Sequence, residues 1–193
     1  MTVPYIYVPN FIENPAAVFE TLWTGIDWLR IGNTPRREYY CNDFPKDYTY
    51  GSGAGVRTYA PQPYHPLMLE MRQKLEAFAK GSFEALFLNG YENCRDSLGW
   101  HADNSPEMDS QRPIGIISVG AAREIWFAPN DDLKNVTKLP LESGSLCLMA
   151  AGMQETHKHR IPKAGYECGP RISLTYRGYV EPPVACGIGV AHG

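Results

Sequence analysis

Gly99-Trp100-His101-Ala102-Asp103 holds an imidazole and a carboxylate two residues apart. In extended backbone, residues i and i+2 leave the same face, so both side chains can reach one metal ion. The chain has five histidines, so an isolated His-x-Asp arises easily by chance, and a second imidazole must come from elsewhere. His157 and His159 are the candidates, in Gln154-Glu155-Thr156-His157-Lys158-His159-Arg160-Ile161-Pro162-Lys163. Two histidines and one carboxylate make the facial triad of non-haem iron(II) oxygenases, which keeps adjacent coordination positions open for a co-substrate and for dioxygen. Zinc is the rival ion. A closed structural zinc site needs a fourth ligand, preferably thiolate, and no cysteine sits at ligand spacing from this group. The plainer alternative is a loop-capping His101, with His157 and His159 solvated among basic neighbours.

A second constellation lies near the C-terminus. Arg171-Ile172-Ser173-Leu174-Thr175-Tyr176-Arg177 alternates, with Ile172, Leu174 and Tyr176 on one face and Arg171, Ser173, Thr175 and Arg177 on the other. Two guanidinium groups therefore line a polar strand face. A small dicarboxylate suits such a surface, because arginine grips a carboxylate through two parallel N–H donors and keeps its charge when desolvated. A solvated face carrying two charges is the ordinary alternative.

The elements that must position these residues fall into two stretches. Asn14-Pro15 with Val18, Phe19, Leu22 and Trp23 predicts an N-capped amphipathic helix with proline at its first position. Residues 28–66 turn to Gly, Pro, Tyr and charge, with brief strand-like pieces, as lids and substrate loops do. Leu67, Met68, Met71, Leu75 and Phe78 predict a second helix ending near Lys80-Gly81. From Ser82 onward strands are expected around Phe83–Phe87, Ile114–Val119, Ile125–Phe127, Leu146–Met149 and Ile172–Tyr176. The expected fold is α+β, a jelly-roll core (about 82–181) braced on one sheet by helices of a front segment (about 1–80) that also carries the lid, all in one domain over 1–193. The Gly- and Ala-rich tail from Pro182 is expected to be irregular.

The whole chain sets limits. At 193 residues and 44% hydrophobic it suits one domain with a sizeable core. A formal charge of −3 argues against a broad basic surface for nucleic acid, so any such contact is expected to be local. Cys41, Cys94, Cys147, Cys168 and Cys186 are odd in number and never form C-x-x-C, which suggests neither a disulfide framework nor a zinc ribbon. A reducing compartment is expected, cytoplasmic or, in a eukaryote, nuclear, with no targeting signal and no membrane contact.

At this point the chain resembles the AlkB family of nucleic acid dealkylases, especially its eukaryotic DNA-repair branch. The likeness runs in order: Pro35-Arg36 with Tyr40 and Tyr48-Thr49-Tyr50; Asn89-Gly90-Tyr91 followed by Asp96, Gly99 and His101-Ala102-Asp103; Ser118-Val119-Gly120-Ala121-Ala122-Arg123 to Phe127; Gly144-Ser145-Leu146 to Met149; Gln154; His159-Arg160-Ile161-Pro162-Lys163; and the pair Arg171 and Arg177. The resemblance implies a jelly-roll (double-stranded β-helix) fold and Fe(II), 2-oxoglutarate and dioxygen as cofactor and co-substrates. It implies His101, Asp103 and His159 as iron ligands, and Asn89, Tyr91, Arg171 and Arg177 as the 2-oxoglutarate site, Arg171 at the distal carboxylate and Arg177 near the metal-bound end. The activity it implies is oxidative demethylation of an N-alkylated base such as 1-methyladenine or 3-methylcytosine, in DNA or RNA.

A base must leave its stack to reach a buried metal, so a surface to sandwich it is needed; Tyr40, Tyr48, Tyr50 and His157 are the candidates. Two residues beyond Asp103, relatives of this type carry an acid against the alkylated base, whereas this chain has Ser105. No apolar wedge for entering duplex DNA is visible. These features point to a monomer acting on single-stranded or otherwise accessible bases. Two other readings stay open: a hydroxylase acting on a protein, lipid or small molecule, and a non-catalytic binding module holding an inert metal.

Overall fold

Proline opens both long helices of the computed structural model, which describes residues 3–32, 34–51 and 55–180. Helix α1 spans Pro15–Gly25 and α2 spans Pro66–Ala79. Proline fits there because the first N–H groups of a helix have no partner to lose. Asn14 does occupy the cap position of α1, but it does not cap as expected. Its backbone is left-handed (φ 49°, ψ 51°) and its side chain makes no cap bond; its carbonyl instead accepts from the Ala17 and Val18 N–H groups at 3.0 and 3.2 Å. In α2, His65 Nδ1 accepts from the Leu67 N–H and Lys80 closes the helix in the left-handed conformation. Each helix buries one stripe, Val18, Phe19 and Leu22 in α1 and Met68, Met71 and Leu75 in α2, against Leu86, Leu88, Ile117, Ile172 and Leu174 of the sheet beneath.

That sheet has six antiparallel strands in the order β1 (Tyr5–Val8), β10 (Ser145–Met149), β7 (Ile114–Gly120), β12 (Arg171–Arg177), β5 (Ala85–Tyr91) and β2 (Arg37–Asn42). Facing it is a four-stranded sheet ordered β6 (Leu98–His101), β11 (His157–Ile161), β8 (Arg123–Pro129) and β9 (Thr137–Leu141). A short hairpin pairs β3 (Tyr48–Tyr50) with β4 (Arg57–Tyr59), and a single turn of helix, α3 (Met153–Thr156), leads into β11. Between the two sheets lies a second core that includes Ile114, Ile116, Ile125, Phe127, Leu141, Cys147 and Met149. The expected α+β jelly roll with helices bracing one sheet is therefore what the chain forms.

Burial on both faces explains the β12 pattern. Ile172, Leu174 and Tyr176 enter the helix-side core, while Arg171, Ser173, Thr175 and Arg177 turn toward the other sheet, and all seven residues are buried. Two features of the topology differ from the expected division of the chain. Strands β1 and β2, from the front segment, complete the large sheet by pairing with β10 and β5, which covers backbone edges that would otherwise invite other chains. Strand β11 also lay outside the expected strand set. Its inward residues His157, His159 and Ile161 alternate with outward Lys158 and Arg160, so two of its three buried positions carry imidazoles, and an apolar periodicity cannot register. The segment from Pro182, expected to be irregular, lies outside the described residues.

Candidate metal centre and its cavity

His159 of β11 and His101 at the end of β6 are cross-strand partners, and their rings lie 4.2 Å apart. Asp103 follows two residues later, fixed by its own backbone N–H, which donates to Gln154 Oε1 at 2.9 Å. Its two carboxylate oxygens stand 3.8 Å from His101 Nε2 and 3.7 Å from His159 Nε2. Two ligand atoms each about 2 Å from one ion are at most about 4 Å apart, so both separations suit a shared ion. Among the described residues this is the one group of three metal-ligating side chains that converges in this way.

Protonation favours the same use. His101 Nδ1 lies 2.9 Å from the Gly99 carbonyl, an acceptor only; Nδ1 therefore carries the proton, and the Nε2 lone pair faces the other ligands. Burial pushes the His159 imidazole down to about 3, reinforced by His101 and Arg177 and opposed by Asp103. Burial likewise lowers His101. Burial alone would raise the Asp103 carboxyl, but Arg177, His159 and His101 outweigh it and hold it below its ordinary value. At neutral pH the set presents two neutral imidazoles and one carboxylate, the forms in which these side chains bind metal.

Arg177 secures the carboxylate. Its Nη2 donates to Asp103 Oδ1 at 2.6 Å and its Nη1 to the Tyr48 hydroxyl at 3.2 Å. The Tyr48 hydroxyl in turn lies 3.1 Å from Ser105 Oγ. Around this group opens a cavity with about 520 Å³ of atom-free space between the two sheets. Phe87, Leu98, Ile116, Ile125 and Ile161 give it apolar walls; Asn89, Tyr91, Ser173 and Thr175 give it polar ones; Tyr48 and Tyr50 of the hairpin line it beside Arg36.

Arg171 sits behind Tyr91, its guanidinium carbon 5.3 Å from that ring. It is fully buried, and only Nη2 is satisfied, by Ser118 Oγ at 2.8 Å and Ser173 Oγ at 3.4 Å; Nε and Nη1 have no protein partner. Burial, opposed by Tyr91, depresses this cation to about 10. A buried guanidinium without a carboxylate is costly, and an anionic ligand is what such a site fits.

His101, Asp103, His159, Arg177, Asn89, Tyr91, Tyr48 and Tyr50 thus line one cavity, with Arg171 directly behind it. Tyr40, Ser105 and His157 are not part of its wall. Tyr40 is buried in a cluster with Tyr48, Phe87 and Met108, its hydroxyl accepting from Asn42 Nδ2, so it backs Tyr48 and does not face the cavity. Ser105 is occupied by Tyr48. His157 shares the inward face of β11, with Nδ1 2.8 Å from Thr156 Oγ1 and Nε2 buried without a partner.

The sequence alone pointed to neither Arg36 as a cavity residue nor Glu38 at all. Arg36 Nε donates to Asn89 Oδ1 at 2.6 Å and Arg36 Nη2 lies 2.8 Å from Glu38 Oε1. The Tyr59 hydroxyl donates to Glu38 Oε2 at 2.6 Å. The Pro35-Arg36 motif was a usable signal for the first; a lone glutamate in a mixed segment offered none for the second.

Residues 30–177 match the family model described as the 2OG-Fe(II) oxygenase superfamily. The alpha-ketoglutarate-dependent dioxygenase alkB homolog 3 of Bos taurus is 31% identical over 194 residues, covering 91% of this chain and 66% of that protein. The DNA oxidative demethylase ALKBH2 of Homo sapiens is 28% identical over 152 residues, covering 75% of this chain and 57% of that protein. The chain thus spans slightly under two thirds of the length of these relatives. The solved structure of OsALKBH1 superposes with a TM-score of 0.65 at 15% identity, covering 93% of this chain and 98% of that one, a likeness of fold.

Proposed function

Because the chain belongs to the 2OG-Fe(II) oxygenase superfamily, we propose that it is an Fe(II)- and 2-oxoglutarate-dependent dioxygenase that removes alkyl groups from N-alkylated bases, such as 1-methyladenine or 3-methylcytosine, in DNA or RNA. The observation that carries the proposal is the pairing, at one cavity, of an unprotonated His-Asp-His set with a buried arginine lacking an anion. Among curated relatives, the bovine protein is named as a dioxygenase and the human one as a DNA demethylase, which supports the reaction and the class of substrate.

His101, Asp103 and His159 hold the iron in this scheme, and the two free donors of Arg171 take the distal carboxylate of 2-oxoglutarate, with Tyr91 and Asn89 beside it. Iron and 2-oxoglutarate, when bound, supply the electrons that turn dioxygen into an oxidant for a C–H bond, yielding succinate and carbon dioxide. Arg177 keeps Asp103 ionised and aimed at the centre. The apolar walls exclude water, and Tyr48 and Tyr50 present aromatic surface for a base turned out of its stack. A hydroxylated N-methyl group is a hemiaminal and releases formaldehyde without further help.

A net charge of −3 supports a local contact with single-stranded or accessible bases, made by a monomer. Ser105, held by Tyr48, brings no negative charge to a cationic base, so the base preference is set by other residues. The test is incubation with Fe(II), 2-oxoglutarate and oligonucleotides carrying 3-methylcytosine or 1-methyladenine, in DNA and in RNA. Loss of methyl mass with matching succinate is expected. Succinate formation that no oligonucleotide stimulates would instead support a hydroxylase of another substrate class, and no turnover at all would support a binding module.

A further inference from the structure

Cys94 and Cys168 stand apart from the other described cysteines. Cys41 and Cys147 are wholly buried, and burial pushes both thiols up to about 12, Cys41 with an opposing influence from Arg72. Cys94 and Cys168 are partly exposed and line one small surface depression with Asn93, Arg95, Glu167 and Gly169.

Their placement follows from the β5–β12 register. Tyr91 and Arg171 are antiparallel partners; Cys94 lies three residues after the first and Cys168 three before the second. Continued in register, these two would face each other, and equal offsets put both side chains on the same side of the ribbon. Opposed residues of an antiparallel pair have Cα atoms about 4.5–5.5 Å apart, inside the roughly 4.4–6.8 Å span of a disulfide. The regular ladder ends at Tyr91 and Arg171, but the two segments stay together beyond it. The Ala164 N–H donates to the Cys94 carbonyl at 2.9 Å, and Arg123 donates to the carbonyls of Asn93 and Asp96 on one side and Pro162 on the other.

We propose that Cys94 and Cys168 form a reversible, peroxide-responsive dithiol beside the Tyr91–Arg171 end of the cavity. One thiol is oxidised by hydrogen peroxide to a sulfenic acid with release of water. The second thiol displaces hydroxide from that sulfur, the S–S bond forms, and a second water leaves. Two thiols lose two electrons in all, and one peroxide becomes two waters. No third metal-ligating side chain converges on the pair among the described residues, which favours redox chemistry over a metal site. Neither thiol touches the His-Asp-His centre, so the proposal holds whatever the cavity's substrate.

The test treats the reduced, desalted full chain with a small excess of hydrogen peroxide, blocks remaining thiols by alkylation and maps tryptic peptides. Cleavage after Lys80, Arg95, Lys163 and Arg171 places Cys94 in peptide 81–95 and Cys168 in peptide 164–171. The expected product is these two peptides joined within one chain and separated again by dithiothreitol, with Cys41 and Cys147 not cross-linked. In Cys168→Ser the link disappears, and Cys94 is recovered as a sulfenic acid trapped by dimedone or as its further oxidised forms. Both peptides recovered unlinked from the wild type, or either cysteine joined to Cys186 or to a second chain, would overturn the proposal.

Discussion

Arg177 and Asp103 form an ion pair of 2.6 Å in which both side chains are buried. The pair sits at the centre of the candidate metal site, and breaking it from the arginine side leaves a carboxylate buried without its main counter-charge. Loss of one partner of a buried pair costs about 3–5 kcal/mol, and Arg177→Met is expected to lower Tm by roughly 10 °C in a chain of this size. Asp103→Asn in the same background is expected to recover part of the loss, because it removes the stranded charge. Thermal unfolding of both single variants and the double variant supplies the cycle; additive losses would show that the two residues do not depend on each other.

Tyr59, Glu38 and Arg36 link the β3–β4 hairpin to Asn89 on the cavity wall. Glu38 is fully buried, so its acceptors depend on these partners. Tyr59→Phe removes one hydrogen bond to a charged acceptor and is expected to cost about 2 kcal/mol, read as a lower urea midpoint. Arg36→Met frees Asn89 Oδ1 and unfixes its amide. The expected result is a roughly tenfold higher half-saturating 2-oxoglutarate concentration, worth about 1.4 kcal/mol, whereas Tyr59→Phe shifts it less. An unchanged 2-oxoglutarate response in Arg36→Met would remove Asn89 from the co-substrate site.

These two networks mark what the sequence could and could not disclose. The Arg171-to-Arg177 alternation was legible because each face of β12 has one character, apolar toward the helices and polar toward the cavity. The His-x-Asp pair was legible as a spacing, and its partner His159 as a residue type. That His159 would stand directly across from His101 depends on the register of β11 and β6, which pair across more than fifty intervening residues. Strand β11 lacks the apolar alternation that announces a strand, since imidazoles fill its inward positions. Tyr40 illustrates the opposite error: a tyrosine in a lid-like segment suggests a substrate contact, but packing turned it away from the cavity and used its ring to support Tyr48.

Glu84 ties the end of β12 to Arg112, and its titration predicts how stability falls in acid. Arg112 Nη2 lies 2.8 Å from Glu84 Oε2, which also accepts from the Tyr179 N–H at 2.9 Å. Burial raises this carboxyl, but hydrogen bonds from Arg112, Ser82 and the Tyr179 backbone prevail and bring it from 4.5 down to about 2. A depressed folded-state value means that the contribution is complete above the unfolded value and disappears as pH falls through the folded one. The Tm gap between wild type and Glu84→Gln is therefore expected to be constant from pH 7 to about pH 5, to narrow below 4.5 and to be mostly gone near pH 2. A gap that stays constant down to pH 2 would contradict the ion pair.

Gly120 ends β7 with φ +94°, a backbone conformation that side chains disfavour. A Cβ there would stand 2.5 Å from the Pro170 carbonyl oxygen and 3.1 Å from the Arg171 Cα, the residue proposed to hold the co-substrate carboxylate. Gly120→Ala is expected to cost roughly 1–3 kcal/mol of stability and to weaken 2-oxoglutarate binding by displacing the start of β12. Gly165→Ala, where an added Cβ meets nothing within 4 Å, serves as the control and should leave both unchanged. Equal behaviour of the two variants would mean that the Gly120 contact is relieved without moving Arg171.

Metal binding is testable without turnover. A ligand that binds only the folded state stabilises it by about 2.7 kcal/mol at one hundred times its Kd, or a Tm rise of roughly 5–10 °C for a chain of this length. Fe(II) under anaerobic conditions, or Mn(II), is expected to produce such a rise, and 2-oxoglutarate to add to it. His159→Ala removes one of three donors whose separations of 3.7–3.8 Å to or from Asp103 define the site, and should abolish the metal-dependent rise. Arg171→Met should keep the rise from metal and lose the increment from 2-oxoglutarate, because its unpartnered Nε and Nη1 groups are not ligands but anion donors. A His159→Ala protein that still gains several degrees from Mn(II) would exclude His159 from the metal centre, and with it the convergence of β6 and β11 as the origin of the site.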